Sequence, residues 1–313
     1  MQSGKSLTKS DLTGIFPAIP TPVNSEGRFD RAALRSLINY LFDGAMSGMV
    51  ALGGTGEYLA LLPEERIEVV EATVEFTQRR GPVIAGVLAP GFREAVRAGK
   101  DFMKAGADAL MLVTPFYVAS PQAAIREYYK AYAEEVGAPV LLYEIPYKTM
   151  VAMRPETVAE ISDDGSIIGM KACNLDVNQY AQLIEQVGNK IAVLSGEDHL
   201  MPLHLGLGAP GAIHATANLF PRVWAEVYAM AAGGDLRAAM KELHALRPMM
   251  NAVFAEGNPG PLKEALAMIG MPVGPALRPL GPPSAETRER LRAVLPALLE
   301  REKTLAARHE KAA

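Results

Sequence analysis

The sequence has little of what several protein classes require. Its single cysteine, Cys173, excludes an internal disulfide framework and a cysteine-rich metal site. With 31 Lys and Arg against 35 Asp and Glu residues, it lacks the basic stripe that nucleic-acid binding needs. No apolar run reaches the roughly 18 residues of a membrane-spanning helix. Residues 1–10 are polar, lack a signal-peptide core and are expected to form a flexible arm. We therefore expect a cytoplasmic protein that binds neither nucleic acid nor a membrane.

What the sequence contains is an alternation of short apolar segments with helix-like segments. Residues suited to helix starts separate the apolar segments, with Asp30 and Asp176 as caps and Pro63 and Pro155 in first turns. The apolar segments have the length and composition of strands that are covered on both faces. They are Gly14–Ile19, Gly48–Leu52, Val83–Val87, Ala109–Val113, Val140–Tyr143, Ile167–Lys171, Ile191–Leu194 and Ala212–His214.

This alternation predicts an α/β fold, a (β/α)8 TIM barrel over residues 11–222. A doubly wound sheet is the main alternative, but Pro17–Pro20 is not the phosphate loop expected after its first strand. After residue 222 only helical patterns remain, so residues 223–313 are predicted to form a C-terminal helical region. Its helices are predicted at Val223–Ala232, Leu236–Ala255, Gly260–Ile269 and Ser284–Ala307.

Barrel enzymes carry their chemistry where strands end, and the sixth predicted strand ends with Lys171. Burial among apolar residues is expected to lower the pKa of this amine, and a neutral amine can form an imine with a ketone. Gly169, on the same face of the strand, is expected to leave room beside it. The alternative is a lysine whose ammonium reaches solvent from the strand end.

Two further strand ends offer partners for that amine. Tyr143 closes the fifth strand and could relay protons, although a core tyrosine with a satisfied hydroxyl is the alternative. The second strand is followed by Gly53–Glu57, whose glycines could let backbone amides face a carboxylate, or could simply make a tight turn.

The histidines lack metal-ligand spacing with acidic or cysteine residues, so no metal site is predicted. Core or surface roles are expected for all five, with His214 closest to a strand end. The glycine-rich run Gly206–Gly211 precedes a strand instead of following one, so it does not predict dinucleotide binding.

Taken together, Gly53–Glu57, Tyr143 with Ile145 and Pro146, and Gly169–Lys171 resemble the dihydrodipicolinate synthase / N-acetylneuraminate lyase family of class I, Schiff-base aldolases. The resemblance implies that Lys171 forms an imine with pyruvate or a related 2-oxo acid and that Tyr143 relays protons. It implies no cofactor, and a homotetramer or homodimer in which Tyr117 reaches across a subunit contact. The substrate-binding residues it implies are Gly54, Thr55, Gly56, Tyr117, Lys148, Gly196 and Ile213.

Three residues depart from the family pattern. Gly54 replaces the Thr or Ser that usually precedes Thr55, and Lys148 replaces an arginine that binds the second substrate's carboxylate. Glu144 stands where asparagine is common. We therefore expect a dihydrodipicolinate synthase-like lyase that acts on a carbon–carbon or carbon–oxygen bond. A keto-deoxy sugar-acid aldolase or dehydratase of the same family, and a non-catalytic barrel that binds a 2-oxo acid, remain alternatives.

Overall fold

The computed structural model describes residues 6–312, except the side chains of residues 309–312. Residues 1–5 of the predicted flexible arm lie outside this range. The rest of the arm is attached to the barrel. Lys9–Asp11 form a 3-10 turn, and Lys9 Nζ donates a hydrogen bond of 2.8 Å to the carbonyl of Gly188.

Eight parallel strands form the predicted (β/α)8 barrel, and each is buried throughout because helices cover the outside and side chains fill the inside. Strand β1 pairs with β8, and a bridge between Ala18 and Val50 joins it to β2 and closes the barrel. The strands are β1 Gly14–Pro17, β2 Met49–Ala51, β3 Val83–Val87, β4 Ala109–Val113, β5 Val140–Glu144, β6 Ile167–Ala172, β7 Ala192–Ser195 and β8 Gly211–His214.

The barrel helices begin where the sequence offers caps. Asp30 accepts a hydrogen bond from the amide of Ala33, and Asp176 accepts from those of Asn178 and Gln179, as expected for N-caps. The helices are α1 Arg31–Asp43, α2 Pro63–Thr77, α3 Phe92–Lys104, α4 Gln122–Val136, the single turn α5 Pro146–Thr149, α6 Pro155–Ile161, α7 Val177–Val187, α8 Met201–Leu207 and α9 Pro221–Ala232.

The predicted boundary at residue 222 falls inside α9. This helix packs against α8 and β1 and completes the outer layer of the barrel, so the C-terminal extension begins after it. The extension consists of α10 Leu236–Val253, α11 Gly260–Met268 and α12 Ala285–Ala312. Within residues 6–312, no helix combines the length and the hydropathy needed to cross a membrane.

A buried ion pair attaches the extension to the mouth of the barrel. Lys263 Nζ of α11 lies 2.5 Å from Glu57 Oε2, in the loop after β2, and both side chains are almost fully buried. Lys263 also donates to the carbonyl of Pro275, and Glu57 Oε1 accepts from the amide of Leu277. Burial lowers the pKa of Lys263, although the Glu57 charge opposes this. We call the contacts made by Glu57 and Lys263 the clasp.

Candidate active site

A cavity of about 610 Å³ opens at the carboxyl ends of the strands. Seven of the predicted site residues line it, and they come from five different strand ends or the loops that follow them. This position is the one that barrel enzymes use for catalysis, because the βα loops converge there. The seven are Gly54, Thr55, Tyr143, Lys148, Lys171, Gly196 and Ile213.

Lys171 and Tyr143 are neighbours because their strands pair in register. Tyr143 of β5 lies directly beside Lys171 of β6, so the two side chains leave the sheet on the same face. Lys171 Nζ lies 4.8 Å from the centroid of the Tyr143 ring. Their exposed fractions are 8% and 4%, so a substrate would meet both groups largely shielded from bulk water.

The protonation of this pair differs from the sequence-based expectation. Burial lowers the pKa of Lys171, as predicted, but the acidic groups of Tyr143, Cys173, Asp198 and Glu197 oppose it, and the pKa is raised above its ordinary value. Burial raises the pKa of Tyr143 to about 12, against the opposing charge of Lys171. The overall lowering of the Lys171 pKa that the sequence led us to expect is therefore not found. An ammonium must pass a proton to a neighbour before the nitrogen can attack a carbonyl.

The wall beside Lys171 is formed by the ends of β6 and β7. Cys173 Sγ donates to the carbonyl of Gly196 at 3.3 Å, and a side chain at Gly196 would collide with that sulfur. Gly169 does not leave room beside the amine, contrary to the prediction. A Cβ at Gly169 would lie 2.8 Å from Leu12, whose side chain fills the barrel below the site.

The glycine-rich loop after β2 contributes Gly54 and Thr55 to the cavity, whereas Gly56 does not line it. A Cβ at Gly56 would lie 2.7 Å from the amide nitrogen of Leu52, so this glycine permits a close backbone contact. Asn258, from the extension, donates a 2.9 Å hydrogen bond to Thr55 Oγ1 and fixes the hydroxyl at the cavity wall.

Two of the three residues that depart from the family pattern face each other. A Cβ added at Gly54 would lie 3.8 Å from Lys148 Nζ, so the missing side chain leaves space next to the lysine amine. Burial lowers the pKa of Lys148, and the nearby Lys171 lowers it further. The site therefore has a lysine beside open space where the resemblance implies an arginine and a hydroxyl.

Tyr117 lies outside the cavity. It follows β4 with a left-handed backbone, φ 72°, and its side chain is 97% exposed in the single chain. Its predicted contact with a substrate or with a second subunit stays a prediction.

Glu144 points away from the cavity, because it alternates with Tyr143 along β5. Its Oε1 accepts from the amide of Met153 at 3.1 Å and from the side chains of Asn174 and Gln179 at 3.4 Å. Oε2 is buried and has no hydrogen-bond partner among the described residues. Burial raises the pKa of Glu144 to about 7.

Two of the histidines belong to the core, as predicted. His204 stacks on Tyr180, His214 packs edge-on against Trp224, and burial lowers the pKa of both rings. His199 instead lines the cavity. Across the described residues, no three His, Cys, Asp or Glu side chains come close enough to hold a metal ion.

Sequence reasoning missed the part of the cavity that comes from short loops and from the extension. The missed lining residues share no motif, because loops far apart in the chain supply them. They are Tyr147, Leu175, Glu197, Asp198, His199, Ala215, Phe254, Glu256, Gly257, Asn258 and Leu280. Some of them did give a signal. The run Ser195–Asp198, which contains Glu197 and Asp198, resembles further family positions, and Tyr147 and Ala215 lie shortly after predicted strand ends.

Comparisons with known proteins agree with this architecture. Curated 4-hydroxy-tetrahydrodipicolinate synthases from Methanothrix thermoacetophila and Thermodesulfovibrio yellowstonii are 37% and 39% identical to the chain. Each alignment covers 90% of this chain, and 95% and 97% of the relatives.

Solved structures give the same result. The dihydrodipicolinate synthase from Acinetobacter baumannii, complexed with pyruvate, superposes with a TM-score of 0.89 at 34% identity, over 92% of this chain and 99% of that one. The dihydrodipicolinate synthase from Thermotoga maritima superposes with the same score at 30% identity and the same coverage. The model of the dihydrodipicolinate synthetase family matches residues 11–298. The predicted barrel and the predicted lyase class are confirmed, and the chain belongs to the dihydrodipicolinate synthetase family.

Proposed function

We propose that this chain is a cofactor-free lyase that captures pyruvate, or a closely related 2-oxo acid, as an imine on Lys171. The observation that carries the proposal is the buried amine beside the Tyr143 ring, 4.8 Å from its centroid, at the mouth of the barrel. The pyruvate complex of the Acinetobacter baumannii relative supports the same substrate class.

The chemistry follows from these two groups. Once the ammonium of Lys171 has lost a proton, its nitrogen adds to the ketone carbon and gives a carbinolamine. Tyr143, whose pKa of about 12 keeps it protonated, donates a proton to the departing hydroxyl, which leaves as water. The iminium that remains draws electrons from the adjacent carbon, which can then lose a proton to give an enamine. The enamine carbon attacks an aldehyde, and hydrolysis of the new imine returns the free lysine.

Substrate binding is proposed for the residues that surround this pair. Thr55, held by Asn258, and the amides of its loop would bind the 2-oxo acid carboxylate. Gly196 and Ile213 would allow the small acid to lie flat against the wall. Lys148 would attract an anionic group on the second substrate, but as a point charge without the bidentate geometry of arginine.

A second candidate is a keto-deoxy sugar-acid aldolase or dehydratase of the same family. The space above Gly54 and the cavity of about 610 Å³ favour it, because they leave room for a longer, hydroxylated substrate. The imine on Lys171 is common to both reactions, so the two candidates differ only in what meets the enamine or leaves from it.

Sodium borohydride reduction in the presence of pyruvate tests the proposal. Mass spectrometry is expected to find one reduced pyruvoyl group on the peptide that contains Lys171, and none in Lys171→Ala. The lack of an adduct with pyruvate and a panel of other 2-oxo acids would reject imine formation. An adduct without turnover of any aldehyde or sugar acid would favour the non-catalytic binding barrel.

We also propose that the chain works as a homotetramer or homodimer in which Tyr117 contacts the neighbouring subunit. Tyr117 is 97% exposed and the adjacent Val118 is 68% exposed in the single chain, so both side chains are available to a second subunit. Tyr117→Glu is expected to shift the oligomer towards monomer in sedimentation, and an unchanged sedimentation profile would reject the contact. The cytoplasmic location stays a prediction.

A further inference from the structure

Glu197 occupies a position in the cavity that the proposed chemistry has not yet used. It follows β7 and lines the same cavity as Lys171 and Lys148. The phenol of Tyr147, in the single turn after β5, donates a 3.0 Å hydrogen bond to Glu197 Oε1. The backbone is held as well, because the amide of Gly196 donates to the carbonyl of Ala172. The carboxyl group is therefore positioned from two separate strand ends.

The other carboxyl groups near the cavity are held by more contacts or face elsewhere. The amide and the hydroxyl of Thr216 both donate to Asp198 Oδ2 and fix that carboxylate. Glu256 accepts from Ser284 and Thr287. Glu144 lies behind the strand. The Glu197 side chain accepts a single hydrogen bond, from Tyr147 to Oε1, so its Oε2 can serve a ligand.

The charge balance at Glu197 suits a group that changes protonation during turnover. Burial raises its pKa to about 7, the hydrogen bond from Tyr147 opposes this, and Asp198 adds to the rise. The cations Lys171 and Lys148 lower it. Both protonation states are therefore accessible near neutral pH. The titratable groups whose charges act on Glu197, or on which it acts, are Tyr143, Tyr147, Lys148, Lys171, Cys173 and Asp198.

We infer that Glu197, oriented by Tyr147, is the acid–base catalyst for the oxygen of the second substrate. In the condensation direction the enamine carbon bonds to the aldehyde carbon, and the carbonyl oxygen takes the proton from Glu197 as its π bond opens. In the cleavage direction the Glu197 carboxylate takes the hydroxyl proton as the carbon–carbon bond breaks. The inference rests on the proposed imine at Lys171. A proton donor at Glu197 would also replace the hydroxyl that is absent at Gly54, where the family pattern has a Thr or Ser.

Glu197→Gln is the direct test, because glutamine keeps the size and the acceptor for Tyr147 but cannot exchange the proton. With pyruvate and short aldehydes such as glyceraldehyde and glyoxylate, kcat is expected to fall about 10²-fold to 10³-fold. The borohydride adduct on Lys171 and the exchange of pyruvate methyl hydrogens in D₂O should persist. The inflection of the wild-type kcat profile near pH 7 should disappear. Glu71→Gln, an exposed carboxylate on the outer helix α2, is the matched control and should keep the wild-type profile.

Tyr147→Phe and Glu197→Asp separate catalysis from a structural role. Tyr147→Phe removes the bond that lowers the pKa of Glu197, so the inflection should move to higher pH with a fall in kcat of about tenfold. Glu197→Asp keeps a carboxyl group and should keep an inflection, and these two variants decide the outcome if Glu197→Gln does not fold. Wild-type kcat and an intact inflection in Glu197→Gln would overturn the inference. Failure of the wild-type protein to form the adduct would instead reject the proposed function.

Discussion

The protein buries a lysine in two regions, and only one of the two lysines is paired with a carboxylate. In the clasp, Lys263 meets Glu57 at 2.5 Å and donates to the carbonyl of Pro275, so the cation is fully paired. In the cavity, no carboxylate of the described residues lies within ion-pair distance of Lys171, which faces a tyrosine ring and several more distant charges. A paired buried charge holds two chain segments together, whereas an unpaired one beside a cavity is free to react.

The comparison also separates stability from activity. The clasp links residues 57 and 263. The cost of desolvating its two charges is offset by the ion pair and by their hydrogen bonds to Pro275 and Leu277. Lys171 has no such dedicated partner, so its retention in the core needs a chemical reason.

Lys171→Met is expected to have the largest effect, and on activity alone. Turnover should fall by about 10⁴-fold or more because the nucleophile is lost. The free energy of unfolding in urea should stay the same or increase, because an apolar side chain replaces a buried ammonium. A fall of several kcal/mol in the free energy of unfolding would show that Lys171, like Lys263, is a structural residue, and would contradict the contrast between the two lysines.

Lys263→Met is expected to have the converse effect. Glu57 would remain buried without its cation, so the free energy of unfolding should fall by about 3–5 kcal/mol. The double variant Lys263→Met with Glu57→Gln is the control, and it should recover most of that loss since neither charge remains. If Lys263→Met were as stable as the wild type, the clasp would make no contribution to stability.

Glu144→Gln tests a buried carboxyl group that, unlike Glu57 in the clasp, has no cationic partner among the described residues. The pKa of Glu144 is raised from 4.5 to about 7 in the folded chain, so the folded state holds the proton more tightly than the unfolded state. This stabilisation is complete below the unfolded pKa and is lost as pH rises through about 7. It is worth about 3 kcal/mol. Urea unfolding from pH 4.5 to 8 should show a smaller decline for Glu144→Gln, and parallel curves would contradict this.

Asn258→Ala probes the link between the two regions and has the smallest expected effect. It removes the hydrogen bond to Thr55 Oγ1, which is worth about 1 kcal/mol of stability. Because the Thr55 hydroxyl is then less well fixed, KM for pyruvate should rise more than kcat falls. Asn189→Ala, at an exposed position in the turn after α7, gives a baseline for asparagine removal away from the cavity. Equal KM values for the two variants would exclude a role for Asn258 in substrate binding.

The fold was largely predictable because parallel barrel strands are continuous apolar runs. Strands β3 and β4 have the predicted bounds. Tyr143 and Lys171 were predictable because each closes such a run, and consecutive parallel strands place their ends side by side. The boundary predicted after residue 222 falls inside α9, because a helix pattern does not reveal which layer the helix packs in.

The rest of the site depends on contacts that leave no local pattern. Asn258 and Thr55 are 203 residues apart, and Glu57 and Leu277 are 220 apart. The direction of the Lys171 pKa shift was wrong because burial can be predicted from an apolar strand, whereas the opposing effect of Tyr143, Cys173, Asp198 and Glu197 depends on how closely three strand ends bring these groups together. Gly169 was misread because Leu12, far away in sequence, fills the space beside it.

The clasp also sets an order of events during synthesis. Strands β5 and β6, with their tyrosine and lysine, leave the ribosome well before Lys263 and Leu280 do. Until then the loop after β2 lacks its ion pair and Thr55 lacks Asn258, so the nascent barrel carries the Lys171 amine in an unfinished pocket. Catalytic competence should therefore arise late in translation, when the last helices fold back over strands that were made first.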